Sequence, residues 1–131
     1  MEHPLVEFEL TKEFRDRFQQ ALDEQDDSFI RKILEDVKPA DITALLYEFN
    51  SEESKYVMDL LSIETQAEII SDLDPDTRKR FLKVYPPKEI INFLNQLASD
   101  DTADILNELP IKEREQVLSG LEPELKMQVT E

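Results

Sequence analysis

The chain has 131 residues, a length that suits one domain, and 40% of them are hydrophobic, enough to build a core. With a single glycine and no cysteine, it excludes glycine-rich phosphate loops, disulfides and thiolate metal sites, and its one histidine, His3 near the terminus, argues against a Ser-His-Asp triad. Its 31 acidic and 15 basic residues leave a formal charge of −16, which repels nucleic acid and anionic lipid and favours cations or a basic partner.

Residues 1–9, which include His3, read as a loose lead. Thr11 is placed to cap a first helix, and Phe14, Phe18 and Leu22 form its apolar stripe. Asp26 or Asp27 can cap a second, whose buried face is Phe29, Ile30, Ile33, Leu34 and Val37. From there a 12-residue repeat is explicit. Leu34, Leu46, Met58, Ile70, Leu82, Leu94, Leu106 and Leu118 form one aliphatic column, with an apolar residue before each. A third column, three residues on, reads Val37, Phe49, Leu61, Leu73, Tyr85, Leu97, Leu109 and Leu121, and the register reaches back to Leu22 and Leu10.

The offsets n, n+1 and n+4 within a unit are helical, because a strand would alternate with period two. Each unit has room for a helix of about ten residues and a short turn, roughly 15 Å of helix. Pro39, Ser51, Pro75, Pro87, Ser99 and Pro123 stand at unit starts, where Pro suits a first turn and Ser an N-cap. Helices are predicted near 11–24, 27–37, 40–49, 52–61, 64–72, 76–84, 88–97, 100–108, 112–120 and 123–129. Alternate units resemble each other more than neighbours do, which gives a 24-residue helix-pair period. Helices this short must bury their stripes against one another, so the expected fold is all-α, an α-solenoid of about ten helices. Residues 1–25 are expected to hold the lead and first helix, and 26–131 the helical repeat.

Ser99-Asp100-Asp101-Thr102-Ala103-Asp104 is the most suggestive stretch for chemistry. Asp100 and Asp104 share a helix face, and carboxylates roughly 6 Å apart repel by about 0.7 kcal/mol in water and about 3 at an effective dielectric of 20. A hard divalent cation relieves that repulsion, and Mg²⁺ often takes only one or two carboxylates and keeps its waters. The other reading is that Asp near a helix start simply serves capping and the macrodipole. Residue types alone favour this second reading. Asp72, Asp74 and Asp76 read as turn and cap, Glu52 and Glu53 as dipole partners, and Glu68 as surface. Arg78-Lys79-Arg80 reads as a balance to neighbouring acids, and Tyr47, Tyr56 and Tyr85 as core edge. No nucleophile with a base and no cofactor fingerprint is present, so the chain is read as non-enzymatic.

Asp41-Ile42-Thr43-Ala44-Leu45-Leu46-Tyr47-Glu48-Phe49, Gln66-Ala67-Glu68-Ile69-Ile70-Ser71-Asp72-Leu73-Asp74-Pro75 and Ser99-Asp100-Asp101-Thr102-Ala103-Asp104-Ile105-Leu106 together resemble the cytosolic N-terminal domain of MgtE-type magnesium transporters, over roughly residues 25–125. The resemblance implies a right-handed superhelix on the cytoplasmic side of the cell membrane. CBS domains and the transmembrane domain of a homodimeric transporter are expected downstream of it. It further implies a Mg²⁺ sensor, in which ions shared between the N-domain and the CBS domains hold the cytosolic part compact and favour the closed pore. By motif, Asp100 and Asp104 match the family's interface carboxylates, and Glu68 matches another acidic position. Half of each shared site then lies elsewhere, so weak or absent Mg²⁺ binding is expected of this chain alone. The alternative is a protein-interaction solenoid of the FliG type that uses its acidic face without metal.

Overall fold

The structure, a computed structural model, describes residues 11–130; the expected lead over 1–9, with His3, and the early register position Leu10 lie outside the described residues. Those residues form ten helices and no strand. They are α1 (Lys12–Asp23), α2 (Asp27–Leu34), α3 (Pro39–Leu46), α4 (Ser51–Met58), α5 (Ile63–Asp72), α6 (Pro75–Leu82), α7 (Pro87–Leu94), α8 (Ser99–Glu108), α9 (Ile111–Gly120) and α10 (Pro123–Val129). Fold class and element number agree with the repeat. The chain divides into two units, Met1–Leu60 and Leu61–Glu131.

In the first unit, Thr11 caps α1 by accepting the Phe14 N–H at 3.1 Å. The stripe then buries Phe18 and Leu22, and the Phe18 ring packs 5.5 Å from that of Phe49. α1 ends in a Schellman motif: the Asp26 N–H reaches the Ala21 carbonyl at 2.9 Å, and the Gln25 N–H reaches Leu22 at 3.1 Å. That geometry puts Gln25 at φ 54°, a left-handed conformation in which its Cβ is crowded. Gln25→Gly therefore raises stability by about 1 kcal/mol, measured as a higher urea midpoint at unchanged slope. Of the two candidate caps for α2, Asp26 is the one used; it accepts the Phe29 N–H at 3.2 Å. Asp27 is engaged by the Tyr56 hydroxyl of α4.

Ser51 does not cap α4. Asn50 accepts the Glu53 N–H at 2.8 Å, and Glu53 Oε1 accepts the Asn50 N–H at 3.2 Å, a reciprocal capping box that moves the helix start one residue earlier than expected. Ser99 is likewise the first helical residue of α8, and Ala98 stands at the N-cap with no side-chain cap bond.

The helix ends also differ from expectation. The third apolar column falls in the connections, whereas the predicted spans 40–49, 52–61 and 88–97 kept Phe49, Leu61 and Leu97 helical. The N–H groups of Phe49, Tyr85 and Leu97 turn back to carbonyls three residues earlier, those of Leu46, Leu82 and Leu94, each at 3.1 Å. This tightens the last turn and releases the chain. The column stays apolar because Leu73, Tyr85, Leu109 and Leu121 still point into the core. Tyr47 is a correction to the core-edge reading, since it is 47% exposed at the end of α3.

In the second unit, helices two apart in sequence pack on each other, α5 on α7 and α7 on α9, α6 on α8 and α8 on α10. The 24-residue likeness seen in the sequence is thus a row of stacked equivalents. Ile69, Ile70, Leu94, Ile105 and Val117 from the first two columns are essentially fully buried.

A further column carries hydrogen bonds. Ser54 Oγ donates to the Leu46 carbonyl (3.3 Å), Arg78 Nη1 to Ile70 (3.0 Å), Thr102 Oγ1 to Leu94 (3.1 Å) and Arg114 Nε to Leu106 (3.0 Å). Each donor is the fourth residue of its helix and reaches back to the end of the preceding one. The last carbonyls of a helix have no partner within it, and here the next unit supplies one.

Candidate functional site

α8 presents four acids, Asp100, Asp101, Asp104 and Glu108. At about 100° per residue, Asp101, Asp104 and Glu108 lie along one stripe, while Asp100 is offset to its side nearest Asp104. Since Ala98 and Ser99 occupy the N-cap and first positions, Asp100 and Asp101 belong to the first turn, where the macrodipole favours them. Asp100 Oδ1 accepts the Asp101 N–H at 3.0 Å.

Opposite this stripe is Arg78 of α6, which is 7% exposed. Its Nε and Nη2 donate to the two Glu108 carboxylate oxygens at 2.8 and 2.6 Å. Its Nη1 donates to the carbonyls of Ile70, Ser71 and Leu73, at 3.0, 3.1 and 3.0 Å. All three guanidinium nitrogens are therefore engaged, and α6 is tied to both the end of α5 and the end of α8. The hydrogen bond to Glu108 holds the Arg78 pKa above its ordinary value. Burial opposes this, and the charges of Glu108, Asp104 and Asp101 reinforce it. Because the shift is upward, the stabilisation that Arg78 contributes is present below its unfolded pKa and is lost only in strong alkali.

Arg78 does balance an acid, as expected of Arg78-Lys79-Arg80, but unlike the exposed Lys79 and Arg80 it does so buried, paired with Glu108 thirty positions away, which the sequence reading did not anticipate. The signal was available: 54, 78, 102 and 114 hold Ser, Arg, Thr and Arg where the matching positions 42 and 90 hold Ile.

The three candidate ligands are exposed, Asp100 and Asp104 on α8 and Glu68 on α5. Among the described residues no three acidic or histidine side chains converge as a metal cage. Asp100 and Asp104 share their helix surface as expected, and Glu68 sits on a different helix. None of the three forms an ion pair within the described residues. Asp74 caps α6 as expected, through the Thr77 N–H at 2.9 Å, and Glu53, expected as a dipole partner in the first turn of α4, also closes its capping box.

A family model described as the MgtE intracellular N domain matches residues 37–131. The chain belongs to that family. Among solved structures, this MgtE N domain is similar to the cytosolic domain of the Mg²⁺ channel MgtE in complex with ATP. Identity is 31% and the TM-score 0.75, over 86% of this chain and 46% of that one. It is also similar to the soluble part of a magnesium transporter, at 17% identity and a TM-score of 0.77, over 91% of this chain and 47% of that one, a likeness of fold alone. No curated protein matches. The MgtE N domain thus spans just under half the length of the two solved chains. It is an intracellular domain by family, and no helix among the described residues is long and apolar enough to cross a membrane.

Proposed function

We propose that this MgtE N domain is a magnesium-sensing regulatory element, and that Asp100 and Asp104 supply half of a Mg²⁺ site completed by donors on CBS domains of the same transporter, a homodimer. The observation that carries this is the state of the two carboxylates. They are exposed, one helical turn apart and without an ion pair among the described residues, while Glu108 on the same helix is held by Arg78. The donor set fits Mg²⁺ in one respect, since the ion accepts one or two carboxylates and keeps water in its remaining positions. It does not amount to a closed site, so the domain alone binds the ion weakly or not at all. Bound Mg²⁺ offsets the repulsion between two acidic surfaces. An ion that binds the docked arrangement better than the separated one shifts the population toward the docked state, in which the pore is closed. Glu68, exposed on α5, serves a second and lesser contact.

The test uses the whole cytosolic protein. Asp100→Ala combined with Asp104→Ala removes most of the protection that Mg²⁺ gives against limited proteolysis, and Glu68→Ala removes less. Protection at the wild-type level in the double variant would sink the assignment and leave a metal-independent interaction solenoid as the better reading.

A further inference from the structure

In the second unit α7 stacks on α5 and α9 on α7, and this row has no further described helix. The eighth residue of each helix shows the consequence. Ile70 of α5 and Leu94 of α7 are 0% exposed, whereas Leu118 of α9 is half-buried. The first residue repeats it, since Ile63 and Pro87 are half-buried and Ile111 is 69% exposed. In the other row, Val129 of α10 is half-buried where Phe81 of α6 and Ile105 of α8 are buried, and Met127 beside it is exposed. The edge formed by α9 and α10 is therefore apolar, with Ile111 and Leu118 two turns apart on one stripe.

Arg114 lies between them. Like Arg78 it is the fourth residue of its helix, and it serves the carbonyls that end the preceding one, those of Leu106, Asn107 and Leu109. Arg78 also holds a carboxylate, Glu108, which comes from the helix stacked next in its row. Arg114 has no such acid among the described residues: Nε and Nη2 are used, and Nη1 is not. α6 thus shows what covers a stripe of this kind, a helix that brings both apolar side chains and a carboxylate.

We propose that the α9–α10 edge is a docking surface for an amphipathic helix from the remainder of the transporter's cytosolic part. That helix packs aliphatic side chains on Ile111 and Leu118 and gives a carboxylate to Arg114. The proposal rests on reading the domain as one part of a larger cytosolic protein, and not on the Mg²⁺ site. Apolar burial supplies the affinity, and the guanidinium selects the acid and fixes the register. A second copy of the domain fits less well. Twofold pairing of α9 with α9 sets Arg114 beside Arg114 and Glu115 beside Glu115, like charges on both flanks of the stripe. No cation takes part, so this contact persists without Mg²⁺.

The chain has no cysteine, so single cysteines report chosen positions. The experiment is maleimide labelling of Ile111→Cys and of Gln116→Cys, a control on the exposed far side of α9, with the label located by peptide mass. In the whole cytosolic protein in EDTA, residue 111 labels about tenfold more slowly than residue 116, as a site open about a tenth of the time would. In the 131-residue domain the two label alike at every protein concentration. Arg114→Gln in the whole protein brings the rate at 111 towards that at 116. Leu118→Glu, which sets a charge against the apolar face of the partner, does the same and decides the matter if Arg114→Gln does not fold. Equal rates at 111 and 116 in the whole protein would overturn the proposal, as would slow labelling that survives both substitutions. Protection of residue 111 in the domain alone that grows with concentration would make the occupant a second copy instead. Protection seen only in MgCl₂ would assign the edge to the α8 contact and overturn the proposal as well. Asp100→Ala with Asp104→Ala leaves the EDTA labelling unchanged, so failure of the Mg²⁺ reading is told apart from failure of this one.

Discussion

Arg78→Met lowers the unfolding free energy by about 3–5 kcal/mol, because breaking a buried ion pair from one side strands the other charge. Methionine approximates the length and volume of the arginine stem, so the core is not emptied. What is lost is the guanidinium. Glu108, whose side chain keeps only 20% of its exposure, then has no counter-charge. The carbonyls of Ile70, Ser71 and Leu73 lose a donor at the same time. Exposure of Glu108 pulls the loss toward the lower end of the range, and the three carbonyls push it up by about 1 kcal/mol or more each where water cannot replace the donor. Urea unfolding with the slope held in common measures the change. Arg78→Met with Glu108→Met recovers much of the loss, since an apolar pair of similar volume carries no desolvation cost. A single variant within about 1 kcal/mol of wild type would mean that water already serves these groups.

Leu94→Ala costs about 2–5 kcal/mol, from lost transfer free energy plus the cavity left behind. Leu94 is fully buried at the end of α7, the helix that packs against both α5 and α9. Its carbonyl is the acceptor for Thr102, so any collapse of α7 to fill the void also strains a buried hydrogen bond. The cavity therefore fills poorly, and the expected loss lies in the upper half of that range. Leu118→Ala, in the same column but only half-buried near the chain end, costs less. Equal midpoints for the two variants would show that burial does not grade along the column.

Much of the fold was legible because a 12-residue period with offsets of one and four repeats one physical instruction. Each short helix must bury the same two positions, and repetition averages out local ambiguity. Leu94, Leu106 and Ile105 could be assigned to the core from spacing alone, and Asp100 and Asp104 to one helix surface. Helix starts were harder, because a cap is a local competition among neighbours. Asn50 outcompetes Ser51 once Glu53 can answer it from the third helical position. The α1 stop was placed within one residue, at 24 against Asp23, but not its form: a Schellman turn is normally announced by Gly, and here Gln25 accepts the left-handed conformation.

The sequence by itself determined the helical class, the repeat, the two core columns and the outward placement of Asp100 and Asp104, since all of these follow from the geometry of one helix and the need to hide its apolar stripe. Only the tertiary structure decided which charges meet. Arg78 and Glu108 are thirty positions apart, on helices that stack because their apolar stripes coincide, and no spacing rule brings a given arginine to a given glutamate across that distance. Once α6 and α8 pack, the guanidinium satisfies the end of α5 and the end of α8 together, and that contact separates the spent Glu108 carboxylate from Asp100, Asp101 and Asp104, which stay exposed.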